Sequence, residues 1–120
     1  MADERPAAPT NQVVRVGDLA FVSGQVGIED GQIARGDFAR QFAAAVTNVE
    51  RQLALVGVGL DAVVKLTTYL VDRDHGMEFL ELRRKVWPEV PPATTTVVVE
   101  ALLLPDLLVE LDVIARLPSA

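Results

Sequence analysis

The chain has 120 residues, half of them hydrophobic, with a formal net charge of −6, one histidine and no cysteine. That length supports one domain with a sizeable core, while the missing cysteines exclude disulfides and thiolate chemistry. The acidic balance and scattered basic residues argue against a grip on nucleic-acid phosphates, and no apolar run approaches the roughly 20 residues a membrane helix needs.

Residues 1–10, MADERPAAPT, are polar and proline-rich and lack the apolar stretch of a secretory signal. They read as a flexible lead-in to a single domain over residues 11–120, in a protein expected to be cytoplasmic. Val13 to Val16 and Leu19 to Val22 are short β-rich runs around Gly17-Asp18, a hairpin signal. Val26 to Ile28 continues the strand pattern up to a second tight turn at Glu29-Asp30-Gly31. Between them, Ser23-Gly24 reads as a strand irregularity or as a place of close backbone approach.

From Asp37 the period changes. Phe38, Phe42, Ala45, Val49, Leu53 and Val56 fall at spacings of three and four, the stripe of an amphipathic helix. Asp37 suits its N-cap, and Gly57 and Gly59 stop it. Arg40, Gln41, Asn48, Glu50 and Arg51 make a solvated outer face. Val63 to Val71 is again a strand, with Val64, Leu66, Thr68 and Leu70 on one side. A second helix carries Phe79, Leu82, Val86 and Trp87 and ends at Pro88; His75 falls in the loop before it.

Pro91-Pro92 then enforces an extended course. Thr94 to Leu102 is largely β-branched, Pro105-Asp106 breaks the run, and Leu107 to Arg116 resumes it. Two strands this close are expected to pair as an antiparallel hairpin. Leu107, Val109, Leu111, Val113 and Ala115 share one apolar face of the last strand, while Leu108, Glu110, Asp112 and Ile114 share the other. The order β-β-β-α-β-α-β-β predicts an α+β fold, a six-stranded mixed sheet with both helices on one face. The other face mixes acids, hydroxyls and aliphatics, and a second copy of the chain is its economical cover.

The succession VRVGDLAFVSGQVG, a long helix, VVKLTTYLVD and PPATTT…LLVELDVIA resembles the Rid family, also called the YjgF family, over roughly residues 9–117. The resemblance implies a chorismate-mutase-like fold, a homotrimer with clefts between subunits and a small keto- or imino-acid ligand or related metabolite; no cofactor is expected, and the single histidine, the acidic charge and the lack of a long apolar run lead to no expected metal, nucleic acid or membrane partner. The best-known members hydrolyse reactive enamines and imines, formed by pyridoxal-phosphate enzymes, to keto acids and ammonia; others carry an endoribonuclease or translation-inhibitor label, which an acidic chain supports poorly.

Residue by residue, the glutamate that positions the attacking water matches Glu110, the glycine region beside the substrate matches Ser23-Gly24, and a backbone group near the reacting carbon falls on Thr96. An aromatic position near the N-terminus is Thr10, and an asparagine of the second helix falls on Glu81. The arginine that clamps the substrate carboxylate in the deaminases is replaced by Thr94, directly after Pro92-Ala93. Threonine cannot make that planar bidentate contact, and the loss corresponds to about 1.5–3 kcal/mol of binding. Efficient deamination of 2-imino acids is therefore not expected. Three readings stand: an imine or enamine hydrolase acting through Glu110, a non-catalytic trimer binding a small metabolite, and an interaction scaffold with filled clefts. Glu110 also reads as an ion-pair partner for an arginine of another subunit, such as Arg15 or Arg73.

Overall fold

Which strand lies beside which decides where every candidate side chain points. The computed structural model describes residues 12–119, so the lead-in and Thr10 lie outside the described residues. Val13–Val16 (β1) and Leu19–Val26 (β2) form the expected hairpin. Ile28–Glu29 (β3) and Gln32–Ile33 (β4) form a small ribbon whose turn residues, Asp30 and Gly31, both have positive φ. That mirror-image turn matches the natural twist of a two-residue hairpin, and it explains an Asp-Gly pair at this point. The helix Phe38–Ala54 (α1) follows, then Val63–Leu70 (β5), the helix Gly76–Val86 (α2), Ala93–Val98 (β6) and Val109–Arg116 (β7).

The sheet has the order β1-β2-β7-β5-β6. The fold is thus α+β with two helices and a mixed, mainly antiparallel sheet, as expected. Five strands form this sheet, and the ribbon β3-β4 stands apart from it.

The expected hairpin between the last two strands does not form. β6 runs parallel to β5, while β7 is inserted between β5 and β2 and is antiparallel to both. The physical reason is the helix between β5 and β6. Strand, helix and strand make a unit that brings the chain back parallel to its starting strand, which a tight turn cannot do. β6 stops at Val98, short of the predicted Leu102, and residues 99–108 carry the chain over to β7.

α1 lies across β2 and β7, with α2 beside it. Asp37 caps α1 by accepting from the Arg40 amide at 3.0 Å. The predicted stripe is buried against Ala20, Val22, Leu66, Leu70 and the apolar face of β7. Phe42 and Phe79 join the two helices edge to face, with centroids 5.9 Å apart. Trp87 is buried just past the end of α2, its indole N–H donating to the Leu60 carbonyl at 2.9 Å. His75 closes a short 3₁₀ turn, Arg73–His75, and stacks on Phe38. In β5 the alternation slips at its start: Val63 is buried and Val64 exposed, because the pairing with β7 shifts between Val63 and Lys65.

The outer face of α1 is not uniformly solvated. Gln41 is fully buried. Its Nε2 donates to the carbonyls of Ala34 and Asp106 at 3.1 and 2.9 Å, and its Oε1 accepts from the Leu108 amide at 2.8 Å. Asn48 likewise donates to the carbonyls of Val26 and Ile28. Neither bond has a helical signature, because both satisfy irregular backbone arriving from distant segments. Gln41→Ala strands three backbone groups at once and is expected to cost about 2–4 kcal/mol, read as a lowered midpoint in urea.

Candidate active site

Register places the side chains of the uncovered sheet face in rows. One row holds the apolar Val14, Phe21 and Ile114, with Phe21 40% exposed, and continues into Lys65. The next holds Asp112, Thr67 and Thr95, with Lys65 donating to the Thr95 hydroxyl at 2.6 Å. The third is Val26, Glu110, Tyr69 and Val97. Tyr69 donates its hydroxyl to Asp112 at 2.9 Å, and that hydrogen bond, with burial and the neighbouring acids, raises the Tyr69 pKa.

Ser23 and Gly24 are a β-bulge. Val22 pairs with Val113 and Gln25 with Leu111, so two residues of β2 face the single Asp112 of β7. Gln25, turned to the helix side and buried, holds the bulge by donating to the Ser23 carbonyl at 3.0 Å and to Gln12 at 2.8 Å. The bulge matters because of what lies on it. A Cβ at position 24 would overlap Oε2 of Glu110, so the carboxylate rests where only a glycine leaves room. Removal from water pushes the Glu110 carboxyl above the usual range, and the Asp112 charge adds to the shift. A carboxyl half-withdrawn from water and pinned to a backbone suits proton transfer to and from a bound water.

The remaining candidates lie elsewhere in the chain. Thr94 pairs with Leu66, which pairs with Val113, and Thr96 pairs with Thr68, opposite Leu111. Both threonines are therefore on the helix side of the sheet, the side away from Glu110 and Asp112. At Thr94 a residue outside the predicted set intervenes: Nη1 of Arg83 on α2 donates to its hydroxyl at 3.3 Å. Glu81 is exposed on α2, two residues and so about 200° around the helix from Arg83. The predicted site thus divides into a half formed by Ser23, Gly24 and Glu110 and a half at the β6 edge, formed by Thr94, Thr96 and Arg83. A recess of about 640 Å³ near Asp61 and Arg116 contains none of the candidates.

The signal for Arg83 was present in the sequence. It stands four residues after Phe79, on the same helical face. The Tyr69–Asp112 pair was hidden by the unforeseen strand order. Among the described residues no group of three or more potential metal ligands occurs, and no helix is long and apolar enough to cross a membrane.

A two-helix α+β domain built on a five-stranded mixed sheet, with a carboxylate folded onto a glycine bulge, is the class that these observations define. The Endoribonuclease L-PSP family model matches residues 2–117. A RutC family protein of Pyrococcus abyssi is 36% identical over 114 residues, covering 92% of this chain and 88% of its own. The RutC family protein YjgH of Escherichia coli is 31% identical, covering 88% and 81%. Among solved structures, yeast Mmf1 superposes with a TM-score of 0.87 at 28% identity, covering 94% and 90% of the two chains. A Mycobacterium tuberculosis member of the YjgF/YER057c/UK114 family gives 0.81 at 32%, covering 92% and 89%. The chain belongs to this RutC/YjgF, or L-PSP, family.

Proposed function

We propose that the chain forms a homotrimer whose inter-subunit clefts hydrolyse a small, reactive imine or enamine, with Glu110 as the acid–base residue. The observation that carries this reading is the Glu110 carboxylate lodged on Gly24, with its pKa raised by desolvation. Glu110 takes a proton from water as the oxygen attacks the C=N carbon. It then returns that proton to nitrogen, giving a neutral carbinolamine, and in a second transfer carries the adduct's hydroxyl proton to the same nitrogen as the C–N bond breaks, leaving a carbonyl compound and ammonia. An enamine enters the same sequence after tautomerising to the imine. Backbone groups at Gly24 and Thr96 orient the substrate.

Assembly is part of the reading because the two halves of the site face opposite ways in one subunit. A cleft that unites them needs the uncovered face of one copy against the β6 edge of another. Light scattering on a size-exclusion column is expected to give three times the 13.0 kDa chain mass; a monomer at micromolar concentration would sink the reading. Catalysis is tested by generating imines in situ and following their decay against the uncatalysed rate. With Thr94 at the position of the deaminases' arginine, 2-iminopropionate is expected to turn over slowly compared with arginine-bearing members. If no imine decays faster in the presence of the trimer, the non-catalytic metabolite binder replaces the hydrolase. RNA cleavage is not expected of a chain of net charge −6 whose candidate face carries Glu110 and Asp112.

A further inference from the structure

We infer that Arg83 is the anion-binding residue of the cleft, reaching from α2 to the point on β6 where this chain has no cation of its own. The inference rests on the proposed cleft for small metabolites and assigns it a substrate class: carbonyl or imine compounds bearing a carboxylate.

Three observations carry it. The guanidinium touches Thr94, the residue standing in the expected carboxylate-clamping position. It is held there by packing, with its carbon 5.4 Å from the centroid of the buried Phe79 ring one helical turn earlier. Among the described residues no carboxylate lies within ion-pair distance of it. An arginine kept only to join α2 to the sheet would be expected to spend its planar fork on an acid, and a chain of net charge −6 has acids to offer. Here one long hydrogen bond to a hydroxyl occupies one of five donors. The rest of the fork remains for a carboxylate, with the Thr94 hydroxyl as a second donor once it turns toward the ligand. Arg84 and Lys85 follow directly and complete the basic last turn of the helix. They complement the helix dipole as well as Arg83 does, but neither has a ring or a strand hydroxyl to fix it.

The anion is thus gripped from the helix rather than from the strand. Its position relative to the reacting carbon differs from that set by an arginine at residue 94, so the expectation of slow turnover for the shortest 2-imino acids stands. Anion recognition and turnover of a given acid are separate properties.

The test is calorimetric titration of pyruvate and of its neutral isostere pyruvamide into the trimer at low salt. Wild type is expected to bind pyruvate in preference to pyruvamide. Arg83→Gln should weaken pyruvate binding by about tenfold or more, the scale of one charge-assisted contact, and erase the preference. Arg83→Lys, keeping charge without the fork, should recover only part of it, and Thr94→Val should lose a few-fold. Thermal melts accompany each variant; should Arg83→Gln fail to fold, the lysine and valine variants carry the same comparison. Equal pyruvate affinity in wild type and the variants, no pyruvate binding by wild type, or no preference over pyruvamide overturns the inference. Neutral imines hydrolysed in a Glu110-dependent manner beside an Arg83-independent pyruvate affinity would remove this inference and leave the hydrolase. Arg83-dependent pyruvate binding without hydrolysis of any imine would do the reverse.

Discussion

Glu110→Gln is expected to lower kcat/KM for the proposed imine hydrolysis by about 100-fold or more, the scale of a lost general acid–base group, while the protein stays folded. Glutamine keeps the shape and the hydrogen bonding but holds no transferable proton. In wild type the rate should also fall as pH drops through the raised pKa of Glu110, since the protonated form cannot accept from water. The stability effect has the opposite tendency. A carboxyl whose folded-state pKa lies above its unfolded value gives the fold stability that is complete below the unfolded pKa and is lost as pH rises through the folded one. At neutral pH wild type has lost that contribution, so the glutamine variant should be no less stable. The change should stay within the roughly 0.5 kcal/mol typical of a non-structural site. The gap should close as pH falls below the usual carboxylate value. Melting curves at several pH values, run beside the decay assay, separate the two roles; a large loss of stability at neutral pH would make Glu110 a structural ion-pair partner.

The face of β7 was legible because its alternation is unbroken: Leu107, Val109, Leu111, Val113 and Ala115 are all buried, and Glu110 and Asp112 look the other way. The stripe of α1 and the caps and turns at Asp37 and Asp30-Gly31 were legible for the same reason, since each depends on neighbours in sequence. Strand order was not. β-branched runs declare a strand but not its partner, and the rule that close strands pair failed where α2 had already committed β6 to lie parallel to β5. The observed order puts Thr94 on the helix side of the sheet, away from Glu110 and Asp112, with Arg83 as its contact. Gln41 failed differently: a buried amide bonded to three distant backbone groups leaves no periodic trace.

Placing the two halves of the site on opposite faces has a consequence for variants. In the proposed trimer a substitution at β6 or α2 would alter the edge that one copy presents, whereas a substitution at the bulge would alter the uncovered face of its neighbour. Mixing an inactive Glu110→Gln subunit with an inactive β6-edge subunit should therefore regenerate some wild-type clefts by complementation, which clefts built within one chain cannot do.

Gly24→Ala is expected to lower hydrolysis by about 10- to 100-fold with thermal stability preserved. The new methyl would overlap the Glu110 carboxylate and lie 3.1 Å from its Cγ. The groups that must yield are the far end of a flexible side chain, so the cost falls on Glu110's position and not on the backbone. Gly24 does not have a positive φ, and alanine restricts the unfolded chain, an effect worth about 0.4–1 kcal/mol where the conformation is compatible. That gain offsets the displaced contact and keeps the fold. A shift of about 1 Å in a catalytic group can cost on the order of 100-fold in rate, which sets the upper end of the expectation. The decisive measurement is a double-mutant cycle. If glycine serves only to seat Glu110, then Gly24→Ala added to Glu110→Gln should change the residual rate little, since the group it displaces is already disabled. Multiplicative losses would mean that the added methyl also disturbs the Gly24 backbone contact with the substrate, so that the bulge serves the ligand as well as the carboxylate.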